Sequence, residues 1–231
     1  MKQALAALLS LAVATAVRAE PEEKGARRLA ACQEVLIEVL GMPESIPRDL
    51  LDKAECVIVI PSVKKAAFGV GARWGKGAAS CRRREGHSGW SSPLMMSVGG
   101  GSVGFQAGVQ AADYVLLVMN PKGMESLLKS KFTLGADASV AGGPKGRSAT
   151  AATDAWMTAE ILSYTRTRGI FAGVSIEGVV INRDDDTNEA VYGEPVSARK
   201  VLLEDRYPVP AAGRAFIDAL NQYSPSHHRD R

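Results

Sequence analysis

Two short motifs in the chain resemble sites that hold phosphate or calcium in other proteins. The run Gly99–Gly104 satisfies the G-x-G-x-x-G spacing of a dinucleotide site, which requires a helix directly after the glycines. Residues 105–109 alternate as in a strand instead, so the glycines predict a bulge or a close strand crossing. The run Asp184–Asn188 is followed by Glu189 and Pro195 where a calcium loop requires glycine and glutamate, and it therefore indicates a solvated acidic loop.

The histidines give little support for hydrolytic catalysis. The chain has His87, His227 and His228, the last two close to its end. A Ser-His-Asp system would have to use His87, and the sequence has no G-x-S-x-G elbow. No His, Cys and Asp residues have the spacing of a zinc site. We expect no enzyme activity, no cofactor and no metal; a hydrolase that combines His87 with a serine is the catalytic alternative.

The first 19 residues have the pattern of a secretory signal peptide. Lys2 precedes the uncharged apolar run Ala4–Val17, and small residues stand at the positions read by a signal peptidase, so cleavage is expected after Ala19. The run is short for a membrane span, which needs roughly 20 apolar residues; an uncleaved anchor is the alternative. We expect an exported protein of the periplasm or cell envelope, associated with the membrane as a peripheral protein.

Removal of this leader would leave a nearly neutral protein. The formal charge of +3 falls to +1 when Lys2 and Arg18 are lost, so a global basic field for nucleic acid is not supported. An exported protein meets oxidising conditions, in which a disulfide can form. Cys56 and Cys81 lie on two predicted strands and would pair if those strands are neighbours. Buried free thiols are the alternative.

Helical periodicity and strand alternation divide the rest of the chain into many short elements. We predict helices at 27–40, 47–53, 120–131, within 184–192, at 196–203 and at 211–223. We predict strands at 57–60, 67–74, 77–83, 94–98, 102–109, 114–119, 132–140, 149–156, 160–166 and 171–181. Pro61 is expected to close the first strand, a turn near Gly75-Lys76 joins the next two, and Thr167–Gly169 forms a hairpin turn.

These elements predict an α+β fold. A mainly antiparallel, glycine-rich sheet or barrel-like core is expected between N-terminal, middle and C-terminal helices, because short turns join consecutive strands and no regular β-α-β alternation occurs. The content of 23 glycines with 6 % aromatic residues suits closely approaching strands. We expect a linker at 20–26, a single domain at 27–223 and a flexible tail at 224–231.

Basic residues cluster near several predicted turns and next to the first helix. Were these turns to converge on one edge, they would form an anion-binding face; scattered solubilising charge is the alternative reading. Helix 27–40 would add an apolar stripe, and docking of that stripe onto the core is its alternative fate. The candidate residues for binding a lipid surface are Arg27, Arg28, Leu29, Leu36, Lys64, Lys65, Arg73, Lys76, Lys145 and Arg147.

Several long motifs resemble the SYLF domain family. They begin with Asp49–Cys56 leading to Ile60-Pro61 and continue with Gly71–Gly77, Gly89–Pro93, Gly99–Gly104, Leu116–Met124, Gly135–Val140 to Gly146-Arg147, and Ser163-Tyr164 through Gly169 to Glu177-Gly178. The match covers roughly 27–193, which is most of the chain after the leader.

This resemblance implies binding to phosphoinositides or other acidic lipids, with a contribution from an amphipathic N-terminal helix. In fungal and animal members it also implies actin binding, often beside an SH3 or FYVE module, and neither module is found here. With an export leader, an acidic phospholipid of the cell envelope is the expected partner. A protein-interaction or assembly module, including self-association through exposed strand edges, is the alternative function.

Overall fold

The computed structural model describes residues 22–225 apart from 69, 84–87, 104–107, 147–155 and 157. The predicted signal peptide, His87, Arg147 and residues 226–231 lie outside the described residues. So does the predicted strand 149–156, except for its last residue.

The described strands form one curled, mainly antiparallel sheet of nine strands, in the order β5-β9-β3-β2-β1-β4-β7-β6, with β8 also paired to β7. Only the β6–β7 pairing is parallel among the described pairs. The strands are β1 (Cys56–Phe68), β2 (Val70–Cys81), β3 (Leu94–Val103), β4 (Gly108–Val118), β5 (Lys131–Thr133), β6 (Val140–Gly142), β7 (Ile161–Thr167), β8 (Ile170–Gly173) and β9 (Val180–Arg183).

Helices lie at the start, middle and end of the chain, as predicted. The described part of α1 covers 22–40, so residues 22–26 of the predicted linker are helical. The others are α2 (Arg48–Lys53), α3 (Pro121–Leu127), α4 (Asp185–Tyr192), α5 (Ala198–Leu202) and α6 (Arg214–Tyr223), the last preceded by a 3-10 turn at Ala211–Gly213. Asn120 caps α3 by accepting a hydrogen bond from the Gly123 N–H at 2.9 Å, which explains its predicted start. The predicted α+β class is confirmed.

Both faces of the central sheet are buried. Val57 and Val59 share one apolar cluster with Leu29 and Leu36 of α1 and with residues of α6. Ile58 and Ile60 point to the other face, where the cluster includes residues of α3 and α5. The unbroken apolar run 57–60 is therefore a strand buried on both sides.

A disulfide joins β1 to β2 at the end of the sheet where β1 begins. Cys56 and Cys81 are directly paired across the two strands and form an S–S bond. Cys32 stays a free, buried thiol; its Sγ lies 3.4 Å from the Val59 carbonyl oxygen. Burial raises the pKa of Cys32 to about 12, so this thiol stays protonated and unreactive at neutral pH.

The first hairpin corrects the predicted strand ends. β1 continues through Pro61 to Phe68, because a bulge at 60–63 accommodates the proline. Ser62 has a φ of +48° in this bulge. β1 and β2 are paired as far as Phe68 and Val70, and Gly75 lies within β2, where a Cβ would come within 2.9 Å of Val63 Cγ2. Gly75 is thus a packing glycine and not a turn glycine.

The glycine run at 99–101 lies inside β3, which corrects the predicted break between strands 94–98 and 102–109. A Cβ at Gly100 would lie 3.0 Å from the Gly178 carbonyl oxygen, so this position allows the close approach of a loop. Glycine did not break the strands, and β3 and β4 are each longer than predicted. By contrast, the predicted strand 132–140 holds only β5 and the first residue of β6. The β7–β8 turn is confirmed: Arg168 and Gly169 both have positive φ, as a two-residue hairpin loop requires.

Ser224, which directly follows α6, is fixed to the core, and this corrects the predicted start of a flexible tail at 224. Ser224 has no exposed surface, and its carbonyl oxygen accepts hydrogen bonds from Arg82 Nη1 at 2.7 Å and Trp90 Nε1 at 3.0 Å. The Arg82 guanidinium lies 3.9 Å from the centre of the Trp90 ring, which is cation–π distance. Burial lowers the pKa of Arg82 to about 10, opposed by Asp52 and Glu55, so it stays charged at neutral pH.

Candidate binding surface

The four central strands run beyond the rest of the sheet at one end. β7 pairs with β4 only over 113–118, and β9 pairs with β3 only over 96–99. The remaining ends, 63–68, 70–76, 100–103 and 108–112, pair only with strands of this group of four among the described strands. We call this four-stranded extension the projecting sheet. Because side chains alternate along each strand, it presents two separate faces.

The face on the α1 side carries an exposed tryptophan beside a lysine. Trp74 is 48 % exposed and pairs across the strands with Lys64. Their neighbours are small or apolar, and Val109 is 74 % exposed. Ala66, Ala72, Ala111, Gly99 and Gly101 complete this surface, which we call the Trp74 face. A tryptophan among small residues with a nearby cation combines apolar contact with charge on one surface.

The opposite face carries Lys65 and Arg73, which pair with each other across β1 and β2. They line a groove of about 290 Å³ between the sheet and residues 174–177. The sequence placed Lys64 and Lys65 in one cluster, but adjacent residues of a strand point to opposite faces. The structure therefore separates these two lysines.

Two of the four predicted lipid contacts on α1 are apolar and lie inside the protein. Leu29 and Leu36 have no exposed surface, so the docked helix cannot offer them to a membrane. Arg28 is also buried in an ion pair. Arg27 is exposed and pairs with Glu23 one turn earlier. The alternative expectation, that the apolar stripe docks onto the core, describes this arrangement.

Arg28 and Lys76 meet at the carboxylate of Asp184. Arg28 Nη1 lies 2.8 Å and Lys76 Nζ 3.3 Å from Asp184 Oδ2, and the other Asp184 oxygen accepts a hydrogen bond from the Thr187 N–H at 3.4 Å. Burial would raise the pKa of Asp184, but the charges of Arg28 and Lys76 and these hydrogen bonds outweigh it, so the pKa lies below its ordinary value. The predicted acidic loop is thus a helix cap that also ties α1 to the sheet.

Replacing Asp184 with asparagine is expected to lower the free energy of unfolding by about 3 kcal/mol at pH 7, because Arg28 would stay buried without its counter-charge. A carboxyl whose pKa is lowered on folding stabilises the fold above its unfolded pKa, about 4, and loses that effect as pH falls through the folded pKa. The difference between the two proteins should therefore shrink below about pH 4. Urea unfolding from pH 7 to pH 2 measures it.

Asp185→Asn is the matched control, since the Asp185 side chain is exposed and pairs only with Arg183 among the described residues. Its effect is expected to stay below about 1 kcal/mol. Equal losses from the two substitutions would contradict the role assigned to Asp184.

The remaining predicted contact that the structure describes lies elsewhere. Lys145 Nζ is 2.9 Å from a carboxylate oxygen of Glu44, in the loop between α1 and α2, and Arg147 lies outside the described residues. The nine predicted contacts that the structure describes therefore do not gather on one surface: Lys64 with Lys76 and Lys65 with Arg73 form two groups. Their role in lipid binding stays a prediction.

Sequence reasoning missed Trp74 and the polar lining of the groove. Trp74 was placed at the end of a predicted strand next to a predicted turn, where its exposure had no special meaning. The available signal was the strand alternation, which places the Trp74 side chain on the face opposite Arg73 and Gly75. The groove residues Gln110, Thr165 and Thr167 come from two other strands, and only strand pairing brings them close to Arg73.

The described residues contain no group of three or more His, Cys, Asp and Glu side chains that could hold a metal ion. No helix among them is long and apolar enough to cross a membrane.

These features define an α+β domain, in which helices cover both faces of a curled antiparallel sheet. Its projecting sheet carries cations on both faces and exposed apolar residues on one of them. The chain belongs to the Ysc84 family, described as Las17-binding protein actin regulator, which matches residues 99–223. The predicted SYLF membership is thereby confirmed. This is a family of binding and regulatory domains.

Relatives from fungi and animals match over most of this chain. It is similar to the SH3 domain-containing protein PJ696.02 of Schizosaccharomyces pombe, with 34 % identity over 80 % of this chain and 43 % of that protein. LAS seventeen-binding protein 3 of Saccharomyces cerevisiae is 32 % identical over 84 % and 42 %. The human SH3 domain-containing YSC84-like protein 1 is 30 % identical over 82 % and 55 %. The chain thus spans about half the length of these relatives.

Proposed function

We propose that this chain is a non-catalytic domain that binds acidic phospholipid surfaces through the Trp74 face of the projecting sheet. The observation that carries this proposal is the exposure of Trp74 beside Lys64. An indole favours the boundary between lipid headgroups and acyl chains. Each nearby lysine contributes about 1 kcal/mol of attraction to an anionic membrane.

The position of α1 changes the mechanism expected from the sequence. Leu29 and Leu36 hold the helix to the sheet, and their release into a membrane would expose the core beneath them. The projecting sheet needs no such release, because its apolar residues are exposed in the folded protein. We therefore assign membrane contact to the sheet and a structural role to the buried side of α1.

The same proposal places the protein outside the cytoplasm, in the periplasm or at the cell envelope. The Cys56–Cys81 disulfide supports this location, since disulfides persist in oxidising compartments. An exported protein would meet envelope phospholipids, so phosphatidylglycerol is the headgroup to test first.

Sedimentation with vesicles tests the proposed surface. Vesicles of phosphatidylcholine that contain roughly 30–40 % phosphatidylglycerol have a strongly anionic surface, so they should bind the protein. Pure phosphatidylcholine vesicles should bind it far less. Lys64→Gln is expected to weaken binding about fivefold. Trp74→Ala should weaken it by a similar factor, because apolar contact is lost.

Lys129→Gln is the matched control, because it removes the same charge from an exposed position next to α3, away from the projecting sheet. Equal effects of Lys64→Gln and Lys129→Gln would contradict the assigned surface. Equal binding of the wild-type protein to anionic and neutral vesicles, or to neither, would overturn lipid binding itself.

Protein interaction is the second candidate function, because the family description and one relative's name refer to Las17 binding. The outer edges of β3 over 100–103 and of β4 over 108–112 have no neighbouring strand among the described residues, and such edges can pair with another chain. Size-exclusion chromatography without lipid separates the two functions, since self-assembly through these edges would proceed without vesicles.

A further inference from the structure

The groove on the face opposite Trp74 is lined by two cations and by several neutral polar side chains. Lys65 and Arg73 come from β1 and β2, and Gln110 lies next to Lys65 on β4. Thr165 and Thr167 lie on β7, across the groove. The volume of about 290 Å³ is at the lower limit for small-molecule sites.

Arg73 is held in place but is not fully satisfied. Its Nε is buried and has no hydrogen-bond partner among the described residues. The stem of Arg73 lies close to the Gly178 turn, since a Cβ at Gly100 would be 3.0 Å from the Gly178 carbonyl oxygen and 3.6 Å from Arg73 Cγ. A buried N–H without a partner is costly, so Arg73 keeps a donor that no described residue satisfies.

The charges of the groove favour an anion. No ion pair joins Lys65 or Arg73 to another described residue, whereas Arg28, Arg82 and Arg166 are each paired. Glu177 is the one acidic residue among those lining the groove, so the lining keeps a net charge of +1. An arginine fork with a neighbouring lysine is the arrangement that binds phosphate oxygens.

We propose that this groove binds a phosphate monoester, with Arg73 and Lys65 on the phosphate oxygens and Thr165, Thr167 and Gln110 as neutral hydrogen-bonding groups around it. The dianion is attracted by the two cations, and the apolar lining residues Val63 and Ile176 accept the carbon part of a small ligand. The site is independent of the membrane surface proposed above, because adjacent residues of β1 and β2 point to opposite faces.

Calorimetric titration with glycerol 3-phosphate tests this site directly. The wild-type protein should bind it, Arg73→Gln should weaken binding at least about tenfold and Lys65→Gln about fivefold, because each substitution removes a charge-assisted contact. Glu177→Gln should strengthen binding several-fold by removing the opposing charge. Lys64→Gln should leave it unchanged, since Lys64 lies on the Trp74 face.

A vesicle experiment distinguishes a soluble ligand from a lipid headgroup. Phosphatidic acid presents a phosphate monoester, whereas phosphatidylglycerol presents a diester of lower charge. A preference for phosphatidic acid at equal mole fraction that disappears in Arg73→Gln, without binding of glycerol 3-phosphate, would assign the groove to the headgroup. Absence of both effects in the wild-type protein, or their persistence in a folded Arg73→Gln variant, would overturn the proposal whatever the result for Trp74→Ala.

Discussion

Arg82→Met is expected to lower the free energy of unfolding by about 3–4 kcal/mol, because methionine keeps the apolar stem but removes the buried cation. Arg82 donates hydrogen bonds to the carbonyl oxygens of Ser224 at 2.7 Å, Leu51 at 3.2 Å and Ala54 at 3.4 Å. Its loss would remove a charged donor from all three carbonyl oxygens and a counter-charge from nearby Asp52, and Trp90 Nε1 alone would not replace these contacts. Urea unfolding followed by circular dichroism measures the change.

Arg83→Met is the control for this prediction. Arg83 follows Arg82 directly but is partly exposed, and it pairs with Asp205 at 2.9 Å. Such a pair contributes less than about 1 kcal/mol. Because Ser224 anchors the chain end, Arg82→Met should also make residues after α6 more sensitive to carboxypeptidase, and Arg83→Met should not. Equal stability losses from the two variants would show that the Arg82 contacts are not the cause.

Leu36→Ala is expected to lower the free energy of unfolding by about 3 kcal/mol, because it opens a cavity beneath α1. The Leu36 side chain has no exposed surface and belongs to the same buried cluster as Val59 and Leu117 of the sheet. Chemical denaturation of the variant and the wild-type protein measures this loss. The result also decides what the apolar stripe of α1 does.

Ile37→Ala provides the matched comparison on the neighbouring position. Ile37 is 40 % exposed, so its truncation should cost less than about 1 kcal/mol. If Leu36→Ala left the stability unchanged and reduced binding to anionic vesicles instead, the helix would leave the sheet at the membrane, and the mechanism first expected from the sequence would replace the one proposed here.

Local patterns predicted much of the fold. The apolar spacing of α1 and the Asn120-Pro121 start of α3 follow from rules that act within one turn of chain. The two-residue turn after Thr167 follows in the same way, because glycine tolerates positive φ. The sequence alone left a disulfide and free thiols as alternatives for Cys56 and Cys81. The disulfide depends on β1 and β2 being neighbours, which is a property of the sheet and not of either strand.

The misplaced first hairpin shows where local rules fail. Pro61 and Gly75 are turn residues in most sequences, but here the proline sits at a bulge and the glycine makes room for Val63 on the neighbouring strand. Both positions are determined by contacts between strands. A sequence pattern read along one strand does not contain that information.

The binding surface was less predictable than the fold for the same reason. Basic residues could be counted along the chain, but their grouping depends on the face to which each one points. Lys64 and Lys65 are adjacent in sequence and lie on opposite faces, whereas Lys65 and Arg73 are eight residues apart and are direct neighbours. Trp74 gained its importance only when its exposure was known.

The bulge in β1 determines to which face of the projecting sheet each of these side chains points. In a regular strand of the same length, every residue after Pro61 would point the other way, so Lys64 would enter the groove and Lys65 would stand beside Trp74. Asp113 holds the bulge by accepting a hydrogen bond from the Ser62 N–H at 2.8 Å, and it also binds Arg166, which contacts Glu38 of α1. The Asp113 carboxylate thus connects the position of α1 to the direction in which the side chains of the projecting sheet point. A change at Asp113 would therefore affect both faces of the projecting sheet.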